Sequence, residues 1–491
     1  MSSEGDTLDT RDEDEGRGTE VELRPALIVL HAAEARLVGA ALLFARRGEA
    51  KVLGRGERDP DDRHPRALPV FQRPGKNEPA GAFADPYLSR EQLVVTATSS
   101  GVRVENVGKR DLLDARGNVV SAVELSPGDV CEVRGRLLLL ATTRAAVMPA
   151  ARSFGRPQHA FGEPDPHGLV GESPVAWKLR DSAAFVAARS AHLLLLGESG
   201  TGKEVVAQTV HDLSGKKGKK MVSRNAATLP AGIIDAELFG HVANYPNAGM
   251  PERPGLIGEA DGSTLFLDEI GEISHELSTR LLRVLDERGE YQRLGDARVR
   301  TSSFRLVGAT NRPVAALKAD VAARFRLRLS VPPLEERKED VPLIARALLR
   351  RAAAKDAEIG ERFLEGWNGR TGEPRLSIEL VRALVTHGYT THVRELDLLL
   401  WTSLAASTGD TADLGPEVLA ELGGEGSEGS EAGEGSDAGD RVDVRKLTAE
   451  DVRAALDRVG GVHEKAWREL GLANRHVLKR LVKKLGLRED G

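Results

Sequence analysis

The chain has 491 residues, 40% hydrophobic and 29% charged, enough for roughly three globular domains. Lys and Arg (69) nearly balance Asp and Glu (75), so a net charge of −6 commits the whole chain to no polyanionic partner, and charge has to be read locally. A single cysteine, Cys131, excludes an internal disulfide and a thiolate zinc site.

Residues 1–21 are acidic, lack an apolar signal-peptide core and are expected to be disordered. Residues 22–148 hold short apolar runs, among them ALIVLH, RLVGAALLF, QLVVTAT and LLLLATT, separated by turn residues. Several short strands without helical periodicity predict a β-sandwich. Residues 149–167, with Pro149, Pro157, Pro164 and Pro166, read as a linker. From 168 to 335 apolar strands alternate with amphipathic helices, the pattern of a parallel α/β sheet. Residues 336–421 read as helical. Residues 422–444 are acidic and rich in Gly and Ser, a flexible linker, and 445–491 are helical and basic. No run approaches the roughly 20 apolar residues of a membrane span, so the expectation is a cytoplasmic protein without a membrane partner.

The most informative stretch is LLLLGESGTGK, residues 193–203. An apolar strand runs into Gly197-Glu198-Ser199-Gly200-Thr201-Gly202-Lys203 and then into a helical pattern. The glycines let backbone amides surround phosphate groups, and the following helix aims its positive end at them. Lys203 is expected to reach the β and γ phosphates. Glu204 stands where a magnesium-binding hydroxyl is usual, so Asp268, at the end of the strand STLFLDE, becomes the main candidate for Mg2+. Glu269 is the candidate to polarise an attacking water. ATP and Mg2+ are the expected cofactors, and ATP hydrolysis the expected chemistry.

LLLLGESGTGKEVVAQTVH, GSTLFLDEIGEISHELSTRLLRVLDERGEYQRLG, FRLVGATNR and PPLEERKEDV resemble the AAA+ domain of bacterial enhancer-binding proteins, the activators of sigma-54 RNA polymerase. The resemblance implies a homo-oligomeric ring, usually a hexamer, that hydrolyses ATP between neighbours. It implies that Asn225 restrains the catalytic glutamate, that Asn311 is the sensor I residue, and that Arg394 is the sensor II arginine. Arg324 would reach into the neighbouring subunit's site, with Lys318 where the family carries a second arginine. Two departures stand out. The family's sigma-gripping Gly-Ala-Phe-Thr-Gly-Ala loop is Asn244-Tyr245-Pro246-Asn247-Ala248-Gly249 here. Tyr389-Thr390-Thr391-His392 replaces the usual Trp-Pro-Gly-Asn of the lid.

Gly54-Arg55 and Leu88-Ser89-Arg90 resemble a forkhead-associated (FHA) domain, which implies a phosphothreonine protein or Ser/Thr kinase as partner, in the manner of two-component-like signalling. Arg55, Ser89, Arg90 and Arg110 would hold the phosphate. The C-terminal VRAALDRVGGVHEKAWRELGLANRHVLKRLVKKLGL resembles a Fis-like helix-turn-helix, with Arg475, His476, Lys479, Arg480 and Lys483 toward double-stranded DNA. The expected architecture is thus an FHA-like β-sandwich, an α/β AAA+ P-loop NTPase with a helical lid, and a small all-α helix-turn-helix. The expected function is ATP-dependent transcription regulation of the sigma-54 type. Two other readings stand beside it. One is a sigma-54-independent regulator or repressor whose AAA+ domain mainly oligomerises; the other is a phosphopeptide-binding interaction protein.

Overall fold

The structure, a computed structural model, describes residues 22–57, 64–155, 157–216, 218–228, 233–273, 275–285 and 289–424, with 452–454, 458 and 470. The expected disordered N-terminus and the DNA-binding candidates Arg475, His476, Lys479, Arg480 and Lys483 lie outside the described residues. The chain divides into two compact units, Met1–Leu414 and Gly415–Gly491.

The first unit opens with twelve strands. They are β1 (Leu23–Ala32), β2 (Ala41–Leu43), β3 (Ala50–Leu53), β4 (Val70–Arg73), β5 (Lys76–Pro79) and β6 (Leu93–Ala97). They continue as β7 (Val102–Asn106), β8 (Leu112–Leu113), β9 (Val119–Val120), β10 (Ala122–Leu125), β11 (Val130–Val133) and β12 (Leu137–Ala145). Eight of them form one antiparallel sheet, in the order β5-β4-β2-β1-β12-β11-β8-β9, and four form another, β10-β7-β6-β3. Side chains alternate across each strand. Leu93, Val95 and Val104 of the small sheet therefore face Leu27, Val29 and Leu139 of the large one in a shared core. Cys131 is buried on β11, and burial pushes its thiol up to about 12.

Next come α1 (Pro174–Ala187), β13 (Leu193–Leu196), α2 (Lys203–Leu213), β14 (Val222–Asn225), α3 (Ile234–Phe239), α4 (Gly255–Glu259) and β15 (Thr264–Asp268). They lead to α5 (His275–Val284), a hairpin of β16 (Glu290–Tyr291) and β17 (Arg300–Thr301), then β18 (Arg305–Thr310), α6 (Ala319–Arg324) and β19 (Leu327–Ser330). Five strands form a parallel sheet, β14-β15-β18-β13-β19. Strands β13, β15 and β18 are buried along nearly their whole length and mostly apolar, because helices cover both faces. Ser173 starts α1 by accepting the Ala176 N–H at 3.0 Å, with Pro174 at the first helical position. The lid holds α7 (Val341–Ala353), α8 (Ala357–Phe363), α9 (Ile378–Thr386) and α10 (Val393–Ala406). It also carries a short hairpin, β20 (Leu364–Glu365) with β21 (Glu373–Pro374), which periodicity did not signal. In the second unit, α11 spans Pro416–Gly424.

Residues 149–167 are laid against α1. The rings of Phe154 and His159 pack on Trp177, and Phe161 stacks on Phe71. The fully buried Arg180 meets Asp165 at 2.9 Å and the carbonyls of Gly171 and Leu169 at 2.7 and 2.9 Å, so its charge is paired and its donors are used. The sandwich is docked on the ATPase layers by further ion pairs. Arg73 forks onto Glu172 (2.6 and 3.2 Å), Arg144 pairs with Glu339 in a buried contact, and Arg382 meets Glu132 at 3.0 Å.

Candidate functional site

The carboxyl ends of β13, β14, β15 and β18 open onto one cleft, where ligands bind in open parallel sheets. After β13 the chain turns sharply through Gly197–Gly202. Gly200 (φ 79°) and Gly202 (φ 97°) occupy left-handed backbone that other residues resist. Lys203 opens α2, and its Nζ donates to the carbonyls of Gly197 (3.0 Å) and Glu198 (2.8 Å). Burial pulls its amine below the usual lysine range, while Asp268 and Glu269 act to keep it charged. The register pairs Asn225 with Asp268 across β14 and β15. Glu269 follows in left-handed backbone (φ 52°), with its N–H on Asp268 Oδ1 at 2.9 Å.

Ser199, Gly200, Gly202, Lys203, Glu204, Asn225, Asp268, Glu269, Asn311 and Arg394 all line this cavity of about 350 Å3. Six separate stretches of sequence thus converge on one cleft when the lid residues are included. Sequence reasoning missed Arg351 and Asp397, which line it from α7 and α10. Asp397 follows Arg394 at i+3 on one helix face, a spacing that could have flagged it.

The remaining members of the loop do not line the cavity. Thr201 is buried, with its hydroxyl on the Glu198 carbonyl at 2.9 Å, and Arg337 donates to the Thr201 carbonyl at 3.2 Å. A Cβ at Gly197 would come within 2.9 Å of the Val331 carbonyl. Glu198 turns away from the cavity to the lid, where His392 Nε2 lies 3.2 Å from its carboxylate. Lys318 and Arg324, on and beside α6, do not line this chain's own cleft. Lys318 Nζ donates to Ser278 Oγ at 2.9 Å, and Arg324 is exposed in the last turn of α6. A larger groove of about 850 Å3, between α1 and the edge strand β19, is lined by Arg152, Phe185, Arg189 and Arg328 among others. It lacks the lysine and paired carboxylates, so we assign the chemistry to the smaller cleft.

The loop Asn244–Gly249 is closed by Asn244, whose N–H reaches the Met250 carbonyl and whose Oδ1 accepts the Gly249 N–H, both at 2.8 Å. The Tyr245 ring lies over Gly295 in the turn between β16 and β17, where a Cβ would come within 2.6 Å of it.

At one end of the sandwich Arg55, Ser89, Arg90 and Arg110 sit on adjoining loops. The Arg55 N–H donates to the Ser89 carbonyl (3.0 Å), the Lys109 N–H to Ser89 Oγ (3.1 Å), and Arg110 Nε to the Tyr87 carbonyl (3.3 Å). Gln92, fully buried, ties these loops together. Its Nε2 reaches Asn106 Oδ1 and the Arg110 carbonyl at 2.9 Å each, and its Oε1 accepts the Ser89 N–H at 3.2 Å.

Sheet order, phosphate-type loop and helical lid define a P-loop α/β fold of the AAA+ class. The sigma-54 interaction domain family matches residues 169–334. The transcriptional regulatory protein ZraR of Escherichia coli K12 is 33% identical over 330 residues, covering 64% of this chain and 68% of that protein. The formate hydrogenlyase transcriptional activator FhlA of the same organism is 34% identical over 261 residues, covering 52% and 35%. A solved structure of NtrX from Brucella abortus in complex with ATP aligns over 65% of this chain and 69% of that one, at 23% identity and a TM-score of 0.45. The chain belongs to the family of sigma-54-dependent enhancer-binding AAA+ regulators. No helix among the described residues is long and apolar enough to cross a membrane.

Proposed function

We propose that this protein is an ATP-dependent transcription regulator of the sigma-54 type, in which hydrolysis within an AAA+ ring remodels a promoter complex. The observation that carries the proposal is the convergence of Lys203, Asp268, Glu269, Asn225, Asn311 and Arg394 on one cleft at the carboxyl edge of the parallel sheet. The donor set fits a nucleoside triphosphate. The loop amides and Lys203 meet phosphate oxygens, and Arg394, 3.2 Å from Ser199 Oγ, stands over the loop. It also fits Mg2+, which needs only one or two carboxylates besides the phosphates, so Asp268 suffices without a three-residue cage. When bound, the cation neutralises phosphate charge. Glu269 orients the water, and Asn225, one strand away, restrains it. Arg324, exposed and outside the lining of its own cleft, suits completion of a neighbour's site, with Lys318 at the start of the same helix.

The sandwich loops bearing Arg55, Ser89, Arg90 and Arg110 are read as a phosphothreonine sensor, and residues 445–491 as the DNA-binding end. Three basic side chains and one hydroxyl within a tied loop cluster support the first of these. Pro246 and the folded-back Tyr245 favour a second reading at one point only, that sigma-54 is not gripped.

The deciding experiment is retention of purified sigma-54 by the full chain, with and without an ATP transition-state analogue. Retention only with the analogue supports the activator. No retention, with the analogue shown to bind, leaves a sigma-54-independent regulator whose ATPase domain mainly oligomerises.

A further inference from the structure

Three successive lid residues meet three successive residues of the phosphate loop. His392 Nε2 lies 3.2 Å from Glu198 Oε2, the Val393 N–H donates to the Gly200 carbonyl at 3.1 Å, and Arg394 Nη1 donates to Ser199 Oγ at 3.2 Å. The fit is close. A Cβ at Gly200 would lie 1.9 Å from the Thr391 carbonyl oxygen. Of these contacts, only that of His392 joins two groups that can carry opposite charges.

His392 sits at the start of α10 with φ 51° and ψ −117°, a backbone conformation that a non-glycine residue holds only when its surroundings fix it. Its side chain is 1% exposed, whereas its partner Glu198 is 69% exposed. A second carboxylate, Glu335, lies 3.4 Å from Nδ1 on the segment that leads into α7. The imidazole is thus held between carboxylates from two other elements. On its own helix, Arg394 points to Ser199, and Glu395 is engaged by His387 and by the N–H groups of Thr390 and Thr391.

We propose that His392 is a positioning residue for the nucleotide site: it bridges Glu198 of the phosphate loop and Glu335, and so holds Arg394, the next residue but one, over the bound phosphates. The proposal rests on the nucleotide reading of the cleft. Burial opposes a charge on the imidazole, yet Glu335 and Glu198 outweigh it and raise its pKa above the ordinary 6.5. A raised pKa means that the bridge is complete below that ordinary value and is lost as pH rises through the folded one. A cation at a helix N-terminus is otherwise disfavoured, so the carboxylates are what keep it there.

The test is the affinity of the full chain for a fluorescent ATP analogue with Mg2+, titrated from pH 6 to pH 9. The expected result is that Kd weakens about three- to tenfold across this range in the parent protein, the scale of one partly buried ion pair. His392→Gln should bind more weakly at pH 7 and show a flat profile. Glu198→Gln, altered at an exposed position that does not endanger folding, should flatten the profile in part. A parent Kd that does not change with pH, or a His392→Gln profile that parallels the parent, overturns the inference and leaves the nucleotide reading intact. Failure of the parent to bind the analogue at any pH overturns both.

Discussion

Among single residues, Lys203 and Glu269 have separable roles. Lys203→Ala removes the cation between the loop carbonyls and the Asp268–Glu269 pair, so nucleotide binding should fall below detection in equilibrium titration. Glu269→Gln keeps the shape and loses the base, so binding should persist while steady-state turnover drops about 10²–10⁴-fold. Retention of full turnover by either variant would sink the site assignment. Lys203, the glycines and the Asp268–Glu269 pair were legible in the sequence because each belongs to a contiguous strand–loop–helix signal. The side-chain partner of Glu198 is not legible there. It belongs to the phosphate-type loop by position, while its carboxylate faces His392, nearly two hundred residues along the chain, and no local pattern carries that information. Lys318 takes its expected role from position alone; within the chain its amine donates to Ser278, a contact that no local pattern signals.

Among the elements, the lid shows how one carboxylate fixes a helix start. Glu395 accepts the N–H groups of Thr390 and Thr391 at 2.7 and 2.9 Å and contacts His387. Burial works against its ionisation, but these partners prevail and hold its pKa at about 2. With the folded value below the ordinary 4.5, its stabilisation is present above pH 4.5 and is lost as pH falls toward 2. Glu395→Gln should therefore lower stability by about 1–3 kcal/mol at pH 7, and the difference from the parent should shrink in acid, as urea unfolding at pH 7 and pH 3.5 would reveal. An equal difference at both values would count against this role. The main strands and helices of the ATPase were readable from apolar runs and Gly punctuation. The hairpin β20–β21 was not, since two-residue strands carry no period. Residues 149–167 read as a linker because their prolines are local, while the partners that fix them, Trp177, Arg180 and Phe71, belong to other elements.

For the whole molecule, the proposed ring would use Arg324 to complete a neighbouring subunit's site. Arg324→Ala should leave nucleotide binding intact and reduce turnover by about 10³-fold or more. In the parent, specific activity should climb with protein concentration as neighbours complete each other's sites. Activity independent of concentration over the range where sedimentation shows assembly would argue against a shared site. The β-sandwich and the ATPase read in sequence as modules joined by a tether, and each layer architecture is visible there separately. Their docking was not, because Arg73–Glu172 and Arg144–Glu339 pair residues 99 and 195 positions apart.

Those two buried pairs give the joint a selective sensitivity. Lifting the sandwich away whole would return all four charges to water together, whereas losing one partner alone strands the other in the joint, at a cost of about 3–5 kcal/mol. The seam is thus far less tolerant of a change on one side than of a matched change on both, and its two faces have to alter as a pair.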